Sequence, residues 1–90
     1  MEKAVVTVVG MDRVGIIADI SAVMKRYNIN ILDITQTILQ KMFTMMMIVD
    51  IAGAVVPFDH IKDEFDQLSV MLGVQIKIQH MDIFQSMHRI

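Results

Sequence analysis

The sequence predicts an α+β sandwich built in the order β-α-β-β-α-β and closed by a short helical tail. Three observations carry this. Strand-like and helical apolar patterns follow one another along the chain in that order. Two of the strand segments are apolar on both faces and two on one face only. The single Pro and the four Gly fall between the apolar segments, where they act as punctuation.

The first segment, residues 3–9, is nearly all Val, Thr and Ala and suits a central strand buried on both sides. Gly10 is expected to end it. Asp12 is then expected to cap the first helix, its carboxylate accepting from the early backbone N–H groups. Ile16, Ile17, Ile20, Val23, Met24 and Tyr27 recur at helical spacing, with Asp19, Lys25 and Arg26 outside the stripe. Asn28 and Asn30 break this helix and open a second strand. There Leu32, Ile34 and Ile38 share one parity and Asp33, Thr35 and Thr37 the other, giving a dry and a wetter face. Gln36 falls with the dry set, where a buried amide must find partners.

Gln40-Lys41 reads as a hairpin turn that lacks the usual Gly or Asn. The third strand runs from about residue 42 to 51. Phe43, Met45, Met47, Val49 and Ile51 form one face, and Met46 and Ile48 keep the other apolar. Pro57 sits where a first helical turn tolerates it, and Phe58, Ile61, Phe65, Leu68 and Leu72 follow at helical spacing. Gly73 supplies a left-handed stop. In the fourth strand, residues 74–81, Val74, Ile76 and Ile78 point in while Gln75, Lys77 and Gln79 point out. The tail, residues 82–90, offers Asp82 as a cap and Ile83, Phe84, Met87 and Ile90 on one helical face. It reads as one or two helical turns.

Two doubly apolar and two one-sided strands match a ferredoxin-like antiparallel sheet ordered 4-1-3-2, with the first and third strands central. Both helices then cover the same face. The other face carries Val and Met side chains, an exposed patch that calls for a partner.

Composition narrows the function. Ninety residues allow one domain, residues 1–90 including the tail. The chain is 54% hydrophobic with a mean hydropathy of +0.54. A monomer this small cannot cover that much apolar surface, so an oligomer is expected, and a homodimer is the arrangement favoured. No stretch approaches the ~18 uncharged apolar residues of a membrane span. Residues 4–9, flanked by Glu2, Lys3, Asp12 and Arg13, lack the length and cleavage pattern of a signal peptide. The absence of Cys excludes disulfide frameworks and thiol chemistry and fits a reducing compartment. A net charge of -2 and a pI near 5.8 argue against a nucleic-acid footprint. The strands also lack the exposed aromatics interleaved with basic residues that an RNA-binding sheet uses. The expectation is a soluble cytoplasmic protein with no membrane or nucleic-acid partner and no cofactor.

The stretch from Gly10 through Met11, Asp12, Arg13, Val14, Gly15, Ile16, Ile17, Ala18 and Asp19 to Ile20 is more specific. It resembles the opening of ACT domains, whose first strand leads through a Gly-x-Asp-Arg-x-Gly turn into the first helix. Residues 28–34, Asn-Ile-Asn-Ile-Leu-Asp-Ile, look like the entry to their second strand. The likeness covers essentially the whole chain. It extends to short stand-alone prokaryotic ACT proteins that share the Asp-Ile-Phe-x-x-Met-His-Arg-Ile ending seen at Asp82 to Ile90. Val14 stands where many ACT domains have Pro, which leaves the turn less rigid.

This resemblance implies a regulatory module that binds a small molecule, an amino acid by family habit, and that is not an enzyme. ACT ligands lie beside this turn and the start of the second strand, often at a dimer interface. That nominates Gly10, Met11, Asp12, Arg13, Gly15 and Ile16 in the turn, and Asn30, Ile31 and Asp33 in the second strand. Elementary physics gives the turn a reason to bind. The first N–H groups of a helix lack internal partners and carry the positive end of its dipole. A glycine at position 15 lets a ligand or a backbone approach closely. A ligand carboxylate would be held by those N–H groups and Arg13, and an ammonium group by Asp12. The same residues also have a purely structural reading: a cap, a tight helix–sheet contact and a turn.

Other constellations are weaker. No pair among His60, His80 and His88 has the i, i+4 spacing of a helical zinc site, so no metal is expected. Met42, Met45, Met46 and Met47 fit a central strand and an adaptable interface better than a soft-metal site. Ser21, Ser69 and Ser86 lack a nucleophile-elbow context, and Asp59, Asp63, Glu64 and Asp66 read as a solvated helix face. Two rivals to the ligand sensor remain. One is a protein-interaction module that binds no ligand. The other is an acylphosphatase-like hydrolase, which needs Arg13 on phosphate and Asn28 or Asn30 positioning water.

Overall fold

The computed structural model describes residues 1–87. β-Branched residues hold Lys3–Met11 extended as strand β1, one residue beyond the expected stop at Gly10. Helix α1 follows at Ile16–Arg26, strand β2 at Asn30–Leu39 and strand β3 at Met42–Asp50. Helix α2 spans Phe58–Leu72, strand β4 Val74–His80 and helix α3 Met81–Met87. The strands form one antiparallel sheet ordered β2-β3-β1-β4, so β1 and β3 are central as expected. None of the described helices is long and apolar enough to cross a membrane.

The core lies between this sheet and the helices α1 and α2. Ala4, Val6 and Val8 of β1 and Phe43, Met45, Met47 and Val49 of β3 meet Ile16, Ile20, Val23 and Met24 of α1 and Ile61, Phe65, Leu68 and Leu72 of α2. Val74, Ile76 and Ile78 complete it from β4. At one end the helices are tied by polar groups: Tyr27 Oη donates to Glu64 Oε1 at 2.8 Å and lies 3.1 Å from His60 Nε2. His80 stacks on Phe58 at 4.1 Å between ring centres and joins the end of β4 to the start of α2.

Local chemistry explains the joints. Asn28 is left-handed at φ 59°, and the two amides after α1 turn back: Asn28 N–H to Lys25 O at 3.3 Å and Ile29 N–H to Met24 O at 2.8 Å. This is a Schellman ending with Asn in the glycine place. Gly73 ends α2 at φ 69°, as expected. Gln40 and Lys41 both have positive φ, 50° and 71°, which is the backbone of a type I′ hairpin turn made without Gly.

Four expectations need correction. Asp12 does not cap α1; Gly15 holds the N-cap position at φ 96°, and no side chain caps the helix. Because the chain is still in the turn at Asp12, its carboxylate stands too early to reach the first helical amides. The dry face of β2 is not dry, for all ten of its residues are exposed, Gln36 included. α2 packs along β4, while α1 touches β2 only lightly, so no described element covers this edge. A bulge between Ile31 and Asp33 also breaks the parity: Ile31 pairs with Val49, and Ile34, Gln36 and Ile38 with Met47, Met45 and Phe43. Leu32 is the extra residue. Finally, α3 starts at Met81 directly after β4, so Asp82 lies in its first turn rather than before it.

The open face of the sheet is only partly bare. α3 packs on β1 and β4 and touches neither other helix. Val5, which points away from the core cluster, is 2% exposed beside it. Farther along, Val9, Met11, Met42 and Met46 remain exposed. The expectations placed on His88 and Ile90 fall outside the described residues.

Candidate functional site

The turn between β1 and α1 is built by constraint from both sides. Gly10 is needed for packing, since a Cβ there would stand 2.5 Å from Val74 Cγ1. Asp12 N–H donates to Lys41 O at 2.7 Å, which pins the turn to the β2–β3 hairpin. Arg13 Nη1 donates to Leu72 O at 2.9 Å, at the C-terminal end of α2. Gly15 adopts a left-handed conformation that side chains resist, and space beside it is open: the nearest atom to an added Cβ would be Asp19 Oδ2, at 3.9 Å. The turn therefore presents an uncapped helix N-terminus to solvent, with the Asp12 carboxylate exposed nearby. Ile16 faces inward at 1% exposure and belongs to the core.

Strand two contributes elsewhere. Gly10 pairs with Phe43, which pairs with Ile38, so the turn sits at the Leu39 end of β2. Asn30 pairs with Asp50, which pairs with Lys3. Within one chain, Asn30, Ile31 and Asp33 thus stand toward the opposite end of the sheet from the turn, from about 17 Å for Asp33 to about 25 Å for Asn30 at the usual rise of a strand. The Asp33 carboxylate accepts from the Ile34 N–H at 2.8 Å. Of the nominated residues, Gly10 and Met11 line an open groove of about 810 Å³ that also touches Ser69, Val70, Gly73 and Val74.

Electrostatically the turn is acidic at its open side, with Asp12 and Asp19 there and Arg13 turned toward α2. Residue patterning overlooked Lys41 and Leu72, whose contributions are backbone carbonyls and leave no side-chain signature. Asp19 was readable, lying four residues after Gly15 on a helical repeat. No group of three or more His, Asp or Glu among the described residues is placed to hold a metal. Within one chain the arrangement that the hydrolase rival needs is not assembled. Arg13 is at one end of the sheet, while Asn28, whose Nδ2 donates to Gly53 O at 3.0 Å, and Asn30 are at the other.

Comparison with known proteins agrees with the fold. A family model described as ACT domain matches residues 2–79. A UPF0237 protein of Clostridium acetobutylicum is 52% identical over 88 residues, 98% of this chain and 99% of its own length. One from Methanocaldococcus jannaschii is 51% identical over 90 residues, with 100% of both chains covered. Among solved structures, an ACT domain protein from Streptococcus pneumoniae superposes with a TM-score of 0.79 at 39% identity, covering 93% of this chain and 94% of that one.

Proposed function

The chain belongs to the ACT-domain family, and we propose that it is a single-domain regulatory module which binds a small molecule, an amino acid, as a homodimer, and passes the signal to a protein partner. One observation carries the reading. The residues nominated for the ligand lie at the two ends of the sheet, and the strand between those ends is an uncovered edge.

An edge strand is a template for another strand. β2 offers ten residues with one charge, Asp33, and no Pro or Lys to discourage pairing. If two copies pair antiparallel through β2 about a twofold axis, the start of one β2 lies beside the end of the other. Asn30 and Asp33 of the second copy then approach the turn of the first. Two equivalent sites form, each with loop amides from one protomer and strand-two side chains from its partner. The same pairing buries Ile34 and Ile38, which are 43% and 55% exposed in the single chain.

A thermal-shift screen of the twenty amino acids at millimolar concentration tests the ligand, since binding to the native state raises its stability by about 2.7 kcal/mol at a hundredfold excess over Kd. One amino acid is expected to raise Tm. The rise is lost in Asp12→Ala, at the turn, and equally in Asn30→Ala, at the far end. A flat screen would overturn the ligand reading. The interaction module would then stand, and it has support of its own: Arg13 and Asp33 already spend hydrogen bonds within the chain.

A further inference from the structure

The last turn of α2 contains no basic residue. Yet the final carbonyls of a helix lack partners within it and carry the negative end of its dipole. The cation comes from another element. Arg13 reaches across from the β1–α1 turn, 59 residues away in sequence, to Leu72 O. This is a charge-assisted hydrogen bond, stronger than a neutral one. On its other flank the turn is held by the Asp12 N–H to Lys41 O bond.

The end of α2 is itself bound onward. Ser69 O accepts from Gly73 N–H at 2.9 Å, and Ser69 Oγ accepts from Ile76 N–H at 2.8 Å. That last bond occupies a backbone donor of β4, the other edge of the sheet. Ser69, Val70, Gly73 and Val74 wall the open groove beside β4. Contiguous hydrogen bonds and one helix end therefore run from the β2–β3 hairpin, through the turn, to the groove.

We propose that Arg13 is a positioning residue and not a ligand contact: it clamps the β1–α1 turn to the end of α2, so that the turn and the groove beside β4 loosen or tighten together. The proposal rests on the ligand reading for its use. A molecule that engages the turn would load the clamp and alter the groove, which is the surface a downstream protein could sense. Shared loosening is the physical content of such coupling, and spatial proximity alone would not establish it.

Amide hydrogen exchange, followed by NMR on the full chain without ligand, tests the clamp. Arg13→Ala is expected to speed exchange about tenfold at Asp12 and Asp19 on the turn side and at Gly73 and Ile76 on the groove side, the change that loss of one hydrogen bond to a charged group produces. Met47, in central strand β3, is expected to keep its rate and so reports that the fold is intact. Arg13→Lys, which can still donate to Leu72 O, is expected to restore most of the protection on both sides. Acceleration on one side only, or on neither, would overturn the clamp. If Arg13→Ala also speeds Met47, Arg13→Lys decides: a smaller rise on both sides with Met47 steady supports the clamp, and a one-sided rise overturns it. No ligand enters the measurement, so a flat amino-acid screen and a failed clamp are separate results.

Discussion

Single residues in this fold are used for backbone geometry more than for chemistry. Gln40 and Lys41 both sit in the left-handed region, which resists side chains by about 1 kcal/mol or more for each. The double replacement Gln40→Asn with Lys41→Gly supplies the residues that a type I′ turn favours, and is expected to raise stability by about 1 kcal/mol. Urea denaturation would read it as a higher midpoint at unchanged slope. Asp50 works through its carboxylate, which accepts from Ala52 N–H at 3.0 Å and Glu2 N–H at 3.1 Å. The Ala52 amide first, and the Glu2 amide next, hold its pKa below the ordinary 3.8. A depressed carboxylate contributes stability that is present above its unfolded pKa and is lost as pH falls through the folded one. Wild type is therefore expected to lose more stability than Asp50→Asn as pH drops below about 4. Equal slopes for the two proteins in acid denaturation would refute that role.

At the scale of elements, legibility followed burial. The core faces of β1, β3, α1, α2 and β4 were readable because each packs against a helix or the sheet, and burial imposes a regular period on the sequence. Asn28 was readable as a break because a polar residue in a left-handed joint has few substitutes. β2 was not readable in the same way. Its apolar side chains are not held by a helix, so alternation in Leu32, Ile34 and Ile38 did not mean burial, and one extra residue at Leu32 shifted the faces. The Asp12 cap was misread because an Asp before an apolar run resembles an N-cap wherever the helix actually begins. At the candidate site, sequence marked the turn and the start of β2. That they stand at opposite ends of one sheet follows from the antiparallel 4-1-3-2 order, in which β1 and β2 run parallel, while only the observed register fixes which residues lie opposite each other. α3 has a testable task. Removing residues 82–90 uncovers Val5 and adjoining sheet, and is expected to produce concentration-dependent aggregation in static light scattering. A truncated chain that stays as dispersed as the full one would show that α3 does not protect this face.

The whole molecule has two unlike edges. β4 packs against α2, with Ser69 Oγ filling the Ile76 amide, whereas β2 is exposed along its length among the described residues. Apart from the bulge at Leu32 and the charge of Asp33 near its start, this edge carries no device that discourages pairing. Under the proposed function, the exposed apolar side chains of β2 and the divided candidate residues have one common remedy, a second copy joined at β2. The half-bare open face, with Val9, Met11, Met42 and Met46, remains outside that joint. Size-exclusion chromatography with light scattering, on wild type and on Ile34→Lys with Ile38→Lys, tests the arrangement most directly. Wild type at micromolar concentration is expected to have twice the chain mass of 10.3 kDa. The double variant, whose changes fall on exposed positions of a bare edge, is expected to be a folded monomer with an unchanged circular-dichroism spectrum. A wild-type monomer, or a double variant that still dimerises, would contradict pairing through β2 and with it the shared site.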